Sequence, residues 1–188
     1  MRVIAGVARG RRLIAPEGDD TRPTGDRVRE ATFNALHSLG ALDGATVVDP
    51  FAGSGALGIE ALSRGAAHAT FADTDRRAIQ AIETNLAATG LSERATVRTE
   101  AAERLISGAV EAGERWDLAL LDPPYAFDRW DELLLVLPAD LAVIESDRAI
   151  DPPIGWRVVR QRRYGTTIVS VLGSIPSTGQ PTGASPPE

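Results

Sequence analysis

The sequence has 188 residues, enough for one well-buried domain and too few for two ordinary ones. Hydrophobic residues make up 43% and charged residues 24%, a balance typical of a folded, soluble protein. The absence of cysteine excludes disulfides, thiolate zinc sites and a thiol nucleophile. Because we find no bilayer-spanning apolar run and no signal-peptide pattern, we expect a cytoplasmic protein without a membrane partner.

The net charge of -6 hides an uneven distribution of arginine. Residues 1–16 and 155–173 each contain four arginines and no acidic residue, whereas the rest of the chain is strongly acidic. A basic surface is therefore expected beside an acidic body if these two segments meet in the fold. All 20 basic residues are arginine, which we attribute to a composition rich in Ala, Gly and Arg rather than to phosphate recognition.

Residues 1–40 are predicted to form an extension ahead of the main fold. Short apolar pieces at Val3-Ile4 and Leu13-Ile14 are separated by Gly and Arg, which predicts a short hairpin followed by a loop. Asp26 is predicted to cap a helix that ends near Gly40.

From Thr46 onward, strands and helices alternate along the chain. The strands lack polar alternation, which is typical of a parallel sheet covered by helices on both faces and predicts a doubly wound α/β fold. Two later runs around a Tyr164-Gly165 turn predict a terminal antiparallel hairpin. We therefore assign residues 41–173 to the main domain and 174–188, rich in Pro, Ser, Thr and Gly, to a disordered tail. The predicted strands are 46–49, 69–73, 95–98, 117–122, 141–145, 156–160 and 167–172. In the main domain, the first predicted helix follows the glycine-rich turn and ends near residue 64, and the others cover residues 76–88, 102–110 and 130–135.

A glycine-rich turn follows the first predicted strand and opens a helix. Gly53, Gly55 and Gly58 match the pattern G-x-G-x-x-G, which permits a tight turn and lets a ligand lie against bare backbone. Asp49 precedes these glycines, where its carboxylate could bind a ligand ammonium directly or through water. A dinucleotide would instead place its pyrophosphate on the helix N-terminus, so the pattern favours the sulfonium donor S-adenosylmethionine. The candidate cofactor residues here are Asp49, Phe51, Ala52, Gly53, Ser54 and Gly55.

A second acidic residue stands at the end of the next strand. Asp73, or with less support Asp75, is expected to accept hydrogen bonds from a ribose diol, which dinucleotides and adenosyl compounds share. The competing role for either residue is a helix N-cap, and this role suits Asp75 better.

The fourth strand ends in Asp122-Pro123-Pro124-Tyr125, the most informative stretch of the sequence. An exocyclic base amine is a poor nucleophile because its lone pair is delocalised into the ring. If the amine donates its hydrogens to the Asp122 carboxylate and the Pro123 carbonyl, the lone pair can turn toward the cofactor methyl. Pro124 stiffens the turn, and Tyr125 is expected to stack on the base. The alternative is a strand-ending turn with an aspartate cap and a surface tyrosine.

Further segments combine with these motifs into a specific resemblance. They are Arg9-Gly10-Arg11, Arg22-Pro23-Thr24, residues 26–30, Phe33-Asn34, residues 49–58 with 60–65, and residues 122–125. Over residues 2–172 the chain resembles the small-subunit (16S) ribosomal RNA guanine-N2 methyltransferases of the RsmD type. The long N-terminal motif makes this resemblance specific, since the glycine turn and D-P-P-Y occur in many amino-methyltransferases.

The resemblance implies a Rossmann-like, seven-stranded class I methyltransferase fold that uses S-adenosyl-L-methionine, yields S-adenosyl-L-homocysteine and needs no metal. It implies methylation of the exocyclic 2-amino group of a guanine, of the guanine-966 type. The implied partner is 16S rRNA within the small ribosomal subunit or an assembly intermediate, and the implied enzyme is a monomer. Related proteins carry a polar residue and an alanine after the third strand, where this chain has Ala101-Ala102, so Ala102 is a candidate cofactor contact and Glu100 a candidate substitute for the polar residue.

The N-terminal extension is the expected RNA-binding region, because phosphate contacts position RNA without reading its sequence. A structured RNA hides the guanine amine, so the base is expected to unstack beside Tyr125. The competing interpretation of these charges is a solvated face. The candidate RNA-binding residues are Arg9, Arg11, Arg12, Arg22, Thr24, Asp26, Arg27 and Arg29.

Three other functions remain open from the sequence. A DNA or other RNA amino-methyltransferase acting on adenine or cytosine would use the same pocket, although the chain lacks room for a separate target-recognition domain. A non-catalytic rRNA-binding assembly factor could retain the fold. A nicotinamide-dependent oxidoreductase is the weakest alternative, because no phosphate partner or hydride-shuttling residue is evident.

Overall fold

A computed structural model of the chain describes residues 1–16, 24–124 and 126–176. Its centre is a seven-stranded sheet in the order β3-β2-β1-β4-β5-β7-β6. The elements are α1 Thr24–Ser38, β1 Thr46–Asp49, α2 Ala56–Ser63, β2 His68–Asp73, α3 Arg76–Thr89, a short 3-10 turn Ser92–Arg94, β3 Ala95–Thr99, α4 Ala102–Ala112, β4 Trp116–Leu121, α5 Trp130–Val136, β5 Ala139–Ser146, β6 Trp156–Tyr164 and β7 Thr167–Ser174.

The first five strands are parallel, and the last two form an antiparallel hairpin at one edge. Strand order reverses between β1 and β4, so two loops diverge there at the carboxyl edge of the sheet. Such a point is where doubly wound sheets bind their ligands. The predicted α/β architecture with seven strands and a terminal hairpin is confirmed.

Two apolar layers hold the sheet between helices. On one face, α1, α2, α3 and the N-terminal segment pack in one cluster with alternate residues of the strands, including Val47, Leu118 and Val171. On the other face, α4 and α5 pack against the intervening residues, including Val48 and Ala119. Successive side chains of a strand point to opposite faces, so strands that are apolar throughout are required to build both layers.

The predicted N-terminal hairpin forms, with a single bridge in place of regular strand pairing. One antiparallel bridge joins Arg2 and Arg12, and backbone hydrogen bonds link Val3 N to Arg11 O and Leu13 N to Met1 O. Val3 and Leu13 enter the same apolar cluster as the sheet. The extension is therefore attached to the main fold by its own apolar side chains.

Several predicted boundaries differ from the structure, and two of them change an assignment. Helix α1 begins at Thr24, so Asp26 lies in its first turn and its carboxylate binds Arg29 instead of capping the helix. Strand β7 continues to Ser174, and Ile175 N donates to Gly155 O, so the predicted tail begins too early. The rest of the predicted tail, from residue 177, lies outside the described residues.

The described segments contain no helix that combines the length and apolarity needed to cross a membrane. The same segments contain no group of three or more His, Cys, Asp or Glu side chains arranged to hold a metal ion.

Candidate active site

The glycine turn and the Asp122 turn lie side by side because β1 and β4 are neighbours. Val47 pairs with Leu118 and Val48 with Ala119, in parallel register. Asp49 ends β1, and Asp122 follows the end of β4, so both aspartates come to the carboxyl edge of the sheet at the strand-order reversal. The structure thus brings together the two motifs that the sequence placed 73 residues apart.

The glycine turn requires glycine for two different physical reasons. Gly53 and Gly55 have positive φ angles of 52° and 76°, a region that L side chains rarely adopt. Gly58 has ordinary backbone angles, but a Cβ at this position would lie 2.3 Å from Cε1 of Phe71. The first two glycines shape the turn, and the third allows α2 to pack closely on β2.

Asp49 is the buried acidic residue at the end of β1. Its side chain is 1% exposed, and its Oδ2 accepts a 3.0 Å hydrogen bond from Gly58 N. Burial raises the pKa of Asp49 to about 7, and nearby Asp73 adds to the shift. Among the described residues Oδ1 has no hydrogen-bond partner. A ligand ammonium or a bridging water would satisfy this buried acceptor, so the site fits a cationic cofactor.

Asp73 holds the turn from β2. Its Oδ2 accepts from Gly53 N at 2.9 Å, and its Oδ1 accepts from Asp75 N at 2.9 Å. Each carboxylate oxygen still has acceptor capacity for a ribose hydroxyl. Asp75 is the N-cap of α3, accepting from Arg77 N at 2.8 Å, and this bond lowers the pKa of Asp75. The structure thus gives Asp75 the N-cap role that the sequence offered as the competing interpretation.

The remaining candidate cofactor residues frame the same space. Ala52 N donates to Ala72 O at 3.0 Å, which ties the turn to β2, and Ser54 is 9% exposed. Ala102 is buried as the first residue of α4, a helix whose preceding residue provides no side-chain cap. The backbone N–H groups at this helix start remain available to a ligand. Glu100 lies beside them and forms long ion pairs of 3.9 and 3.7 Å with Arg98 and Arg104.

The turn after β4 presents both an exposed and a buried residue. Asp122 is exposed, Pro123 is buried and Pro124 is exposed. Pro124 O accepts a 2.8 Å hydrogen bond from Phe127 N, which links the two sides of this turn. Tyr125 itself lies outside the described residues, so its predicted stacking role stays a prediction.

Three aromatic rings connect the two turns. The rings of Phe51 and Phe127 have centroids 5.5 Å apart at 63°, and those of Phe127 and Trp130 have centroids 4.9 Å apart at 81°. Edge-to-face pairs at these separations are favourable and restrict ring movement. Sequence reasoning selected Phe51 but missed Phe127, whose only signal was an aromatic residue two positions after Tyr125.

Three polar side chains hold the N-terminal segment beside the glycine turn by hydrogen bonds. They are Glu60 and Ser63 on α2 and Asn85 on α3. Glu60 is fully buried and accepts from the backbone N–H groups of residues 4 and 5, while Ser63 Oγ accepts from Ala8 N. Asn85 Oδ1 accepts from Ile14 N, and its Nδ2 donates to the carbonyl oxygens of Ile14 and Ser54. Glu60 and Ser63 lie in segment 60–65 of the family resemblance, but no local pattern of sequence indicates that these two residues and Asn85 bind the N-terminal segment.

The candidate RNA-binding arginines fall into two groups. Arg9, Arg11, Arg12 and Arg27 are exposed. Arg29 is only 6% exposed and donates to Arg2 O at 2.6 Å and to Asp26 at 3.0 Å. A guanidinium in this position stabilises the start of the chain and cannot reach a phosphate, so we leave Arg29 out of the proposed RNA contacts.

The two remaining candidates in this region are only partly described. Thr24 begins α1, and Arg22 lies outside the described residues. Their expected contacts with RNA stay predictions.

Comparisons with known proteins identify the class of protein to which this fold and these paired turns belong. The solved structure "Putative methyltransferase yhhF from Escherichia coli" superposes with a TM-score of 0.78 and 35% identity, over 93% of this chain and 97% of that one. The fold is thus that of a methyltransferase. Residues 1–173 match the family model described as "Conserved hypothetical protein 95", and the chain belongs to this family, the RsmD family.

Two curated relatives cover most of the chain. One is "Putative rRNA methyltransferase YlbH" of Bacillus subtilis, 39% identical over 91% of this chain and 97% of its own length. The other is "Ribosomal RNA small subunit methyltransferase D" of Escherichia coli K12, 35% identical over 88% of this chain and 85% of its own length. The resemblance inferred from the sequence motifs is confirmed.

Proposed function

We propose that this protein is an S-adenosylmethionine-dependent methyltransferase of small-subunit rRNA. The observation that carries this proposal is the adjacency of two turns at the strand-order reversal, one with the buried acceptor of Asp49 and one with exposed Asp122. The names of the two curated relatives support the RNA substrate. The N-terminal segment, with exposed Arg9, Arg11 and Arg12, supplies cations for a phosphate backbone.

The donor would be held on the β1–β2 side. Asp49 would bind the ammonium, directly or through water, Asp73 the ribose, and the backbone around Gly53 and Gly55 would line its path. When bound, the cofactor supplies a methyl group made electrophilic by the sulfonium. The buried carboxylate of Asp49 favours a cation strongly, because a charge-compensating partner lowers its raised pKa.

The acceptor is proposed to be the exocyclic 2-amino group of a guanine. Asp122 and the Pro123 carbonyl would accept the two amine hydrogens and turn the nitrogen lone pair toward the methyl group. Positive charge that develops on the nitrogen is then stabilised by the carboxylate. Alkylation makes the amine acidic, so its proton leaves to Asp122 or to water without a dedicated strong base. Tyr125 would stack on the unstacked guanine.

The reaction is tested with tritiated S-adenosylmethionine and small-subunit rRNA from cells lacking this protein, presented both as naked RNA and in ribosomal particles. We expect one labelled guanine, identified as N2-methylguanine by mass spectrometry, and its absence from rRNA of the deletion strain. Label on adenine or cytosine, or on DNA instead of rRNA, would refute the guanine assignment. Binding of rRNA without binding of donor would indicate an assembly factor.

A further inference from the structure

Ion pairing divides the arginines of the chain. Eight described arginines form ion pairs with Asp or Glu, and none of these belongs to residues 1–16 or to β6. The four arginines of β6 are all exposed and have no acidic partner among the described residues. The protein has a net negative charge, so a strand whose arginines have no described acidic partner presents a localised positive field to an anionic partner.

An irregularity in the pairing of β6 aligns three of these arginines. Arg157 lies opposite Gly173, Arg160 opposite Val171 and Arg162 opposite Val169, with a register shift between residues 158 and 160. Residues directly opposite each other in an antiparallel pair share a face. Positions 157, 160 and 162 would not share a face in a regular strand, because their spacing mixes odd and even steps. The β-bulge therefore places three arginines on one side of the sheet.

That side is the one covered by α1 and the N-terminal segment. Val169 and Val171 belong to the same apolar cluster as Val3 and Phe33. The two acid-free segments of the sequence, residues 1–16 and 155–173, therefore both contribute to the same face of the sheet. Arg163 pairs with Ile168 and faces the other side, so it is not part of this group.

Strand β6 also lies on the same side of the strand-order reversal as β4, here called the acceptor half of the sheet. The order from the strand-order reversal is β4, β5, β7, β6, and Tyr164 pairs with Thr167, which lies beside the carboxyl end of β5. With neighbouring strands roughly 5 Å apart, β6 stands about 15 Å from β4. Arg162 precedes Tyr164 by two residues, so it lies near the edge of the sheet at which Asp122 follows the end of β4.

We infer that Arg157, Arg160 and Arg162, here called the β6 arginine row, form a second contact for the phosphate backbone of the RNA substrate. The inference rests on the proposed function and extends its partner surface beyond the N-terminal segment. Guanidinium groups bind phosphate oxygens through paired N–H donors, and phosphate contacts set position without reading bases. RNA whose target base enters beside Asp122 would then be held on both flanks.

The test compares Arg160→Gln/Arg162→Gln with the matched control Arg104→Gln/Arg115→Gln. The control pair removes the same charge from exposed, ion-paired arginines elsewhere on the molecule. Binding to in vitro transcribed small-subunit rRNA is measured across a salt series. For the β6 variant we expect the log–log salt slope to fall by about 1 per arginine lost, and affinity to fall about 10- to 100-fold near 0.1 M salt. The control pair should keep most of the wild-type slope.

Arginines on an edge strand also prevent strand-to-strand association, so a charged variant separates the two roles. Arg160→Glu/Arg162→Glu keeps the edge charged and should remain monodisperse by light scattering while losing RNA affinity. Arg160→Lys/Arg162→Lys should restore most of the salt slope. A wild-type slope in the Gln and Glu variants would overturn the inference and assign the row to edge protection alone.

Methyl transfer and RNA binding are scored on the same preparations, which keeps two failures apart. If wild-type protein methylates rRNA and the β6 variant binds it with an unchanged salt slope, the second contact is refuted while the proposed reaction stands. If wild-type protein transfers no methyl group but the slope falls in the β6 variant, the proposed reaction is refuted and the RNA contact stands.

Discussion

The carboxyl edge of the sheet has two halves that are built in opposite ways. The donor half lies on the side of β1 and β2, and the acceptor half lies on the side of β4 to β6. On the donor half, Asp49, Asp73 and Asn85 bind the backbone of the glycine turn through buried or half-buried side chains. On the acceptor half, Asp122 and the arginines of β6 are exposed. A small cofactor needs a preorganised cradle, whereas a macromolecule needs accessible charge.

The largest effect that separates the halves is expected at Asp122. Replacing it with alanine should lower methyl transfer about 100- to 1,000-fold, because the carboxylate acts on the reacting amine. Donor binding, measured by calorimetry, should stay near the wild-type value, since the residue is exposed and outside the glycine turn. Loss of donor binding in this variant would show that Asp122 serves the donor half instead.

The attachment of the N-terminal segment is tested at Gly6. It has a φ of +82°, and a Cβ there would lie 1.8 Å from Ser63 O, so Gly6→Ala must displace backbone. We expect a loss of about 3 kcal/mol in the free energy of unfolding by urea titration. Gly10→Ala is the matched control, because Gly10 has the same φ of +82° and no neighbour within 4 Å. Equal losses in both variants would mean that strain, and not the contact with α2, dominates.

The pH dependence of the free energy of unfolding should show that ionised Asp49 destabilises the ligand-free protein. The pKa of Asp49 is about 7 in the folded protein against an ordinary value of 3.8 for aspartate, so the folded state binds the proton more tightly than the unfolded state does. The free energy of unfolding should therefore fall as pH rises from about 4 to 7 in ligand-free protein, and Asp49→Asn should remove about 2 kcal/mol of that fall. Urea titrations at pH 5 and pH 8 measure it. An identical pH profile in both proteins would contradict the assignment.

The smallest effect concerns the exposed arginines of the N-terminal segment. Replacing Arg9, Arg11 and Arg12 with glutamine should weaken rRNA binding about tenfold and reduce its salt dependence, while leaving donor affinity unchanged. The comparison protein is Arg115→Gln, in which an exposed arginine paired to Asp140 is removed. If the triple variant matches this control in salt slope, the N-terminal charges are a solvated face.

Local sequence signals predicted β1 and the glycine turn well. Strand β1 was predicted with its observed bounds, and the turn follows it as predicted, because short apolar strands and glycine spacing are local properties. Contacts distant in sequence escaped prediction. Nothing near Arg29 indicates that it is buried against Arg2 O, and nothing near Glu60 indicates that it binds residues 4 and 5.

Strand β6 shows the same limit at the level of register. The sequence predicted a strand ending at residue 160, since the arginine-rich part has no apolar alternation, but pairing with β7 extends it to Tyr164. The bulge after Val158 depends on how two strands meet and leaves no signal in either alone. The faces of its arginines could therefore be assigned only from the structure.

The side chain at position 85 must offer one acceptor to an N–H and two donors to carbonyl oxygens within a single short reach. Only a carboxamide provides that combination, and glutamine adds a methylene for which a 1% exposed site leaves little room. Aspartate, although nearly the same shape, would face two carbonyls with oxygens of its own. Any attempt to redesign this protein should treat position 85 as closed to substitution, however ordinary it looks in the sequence.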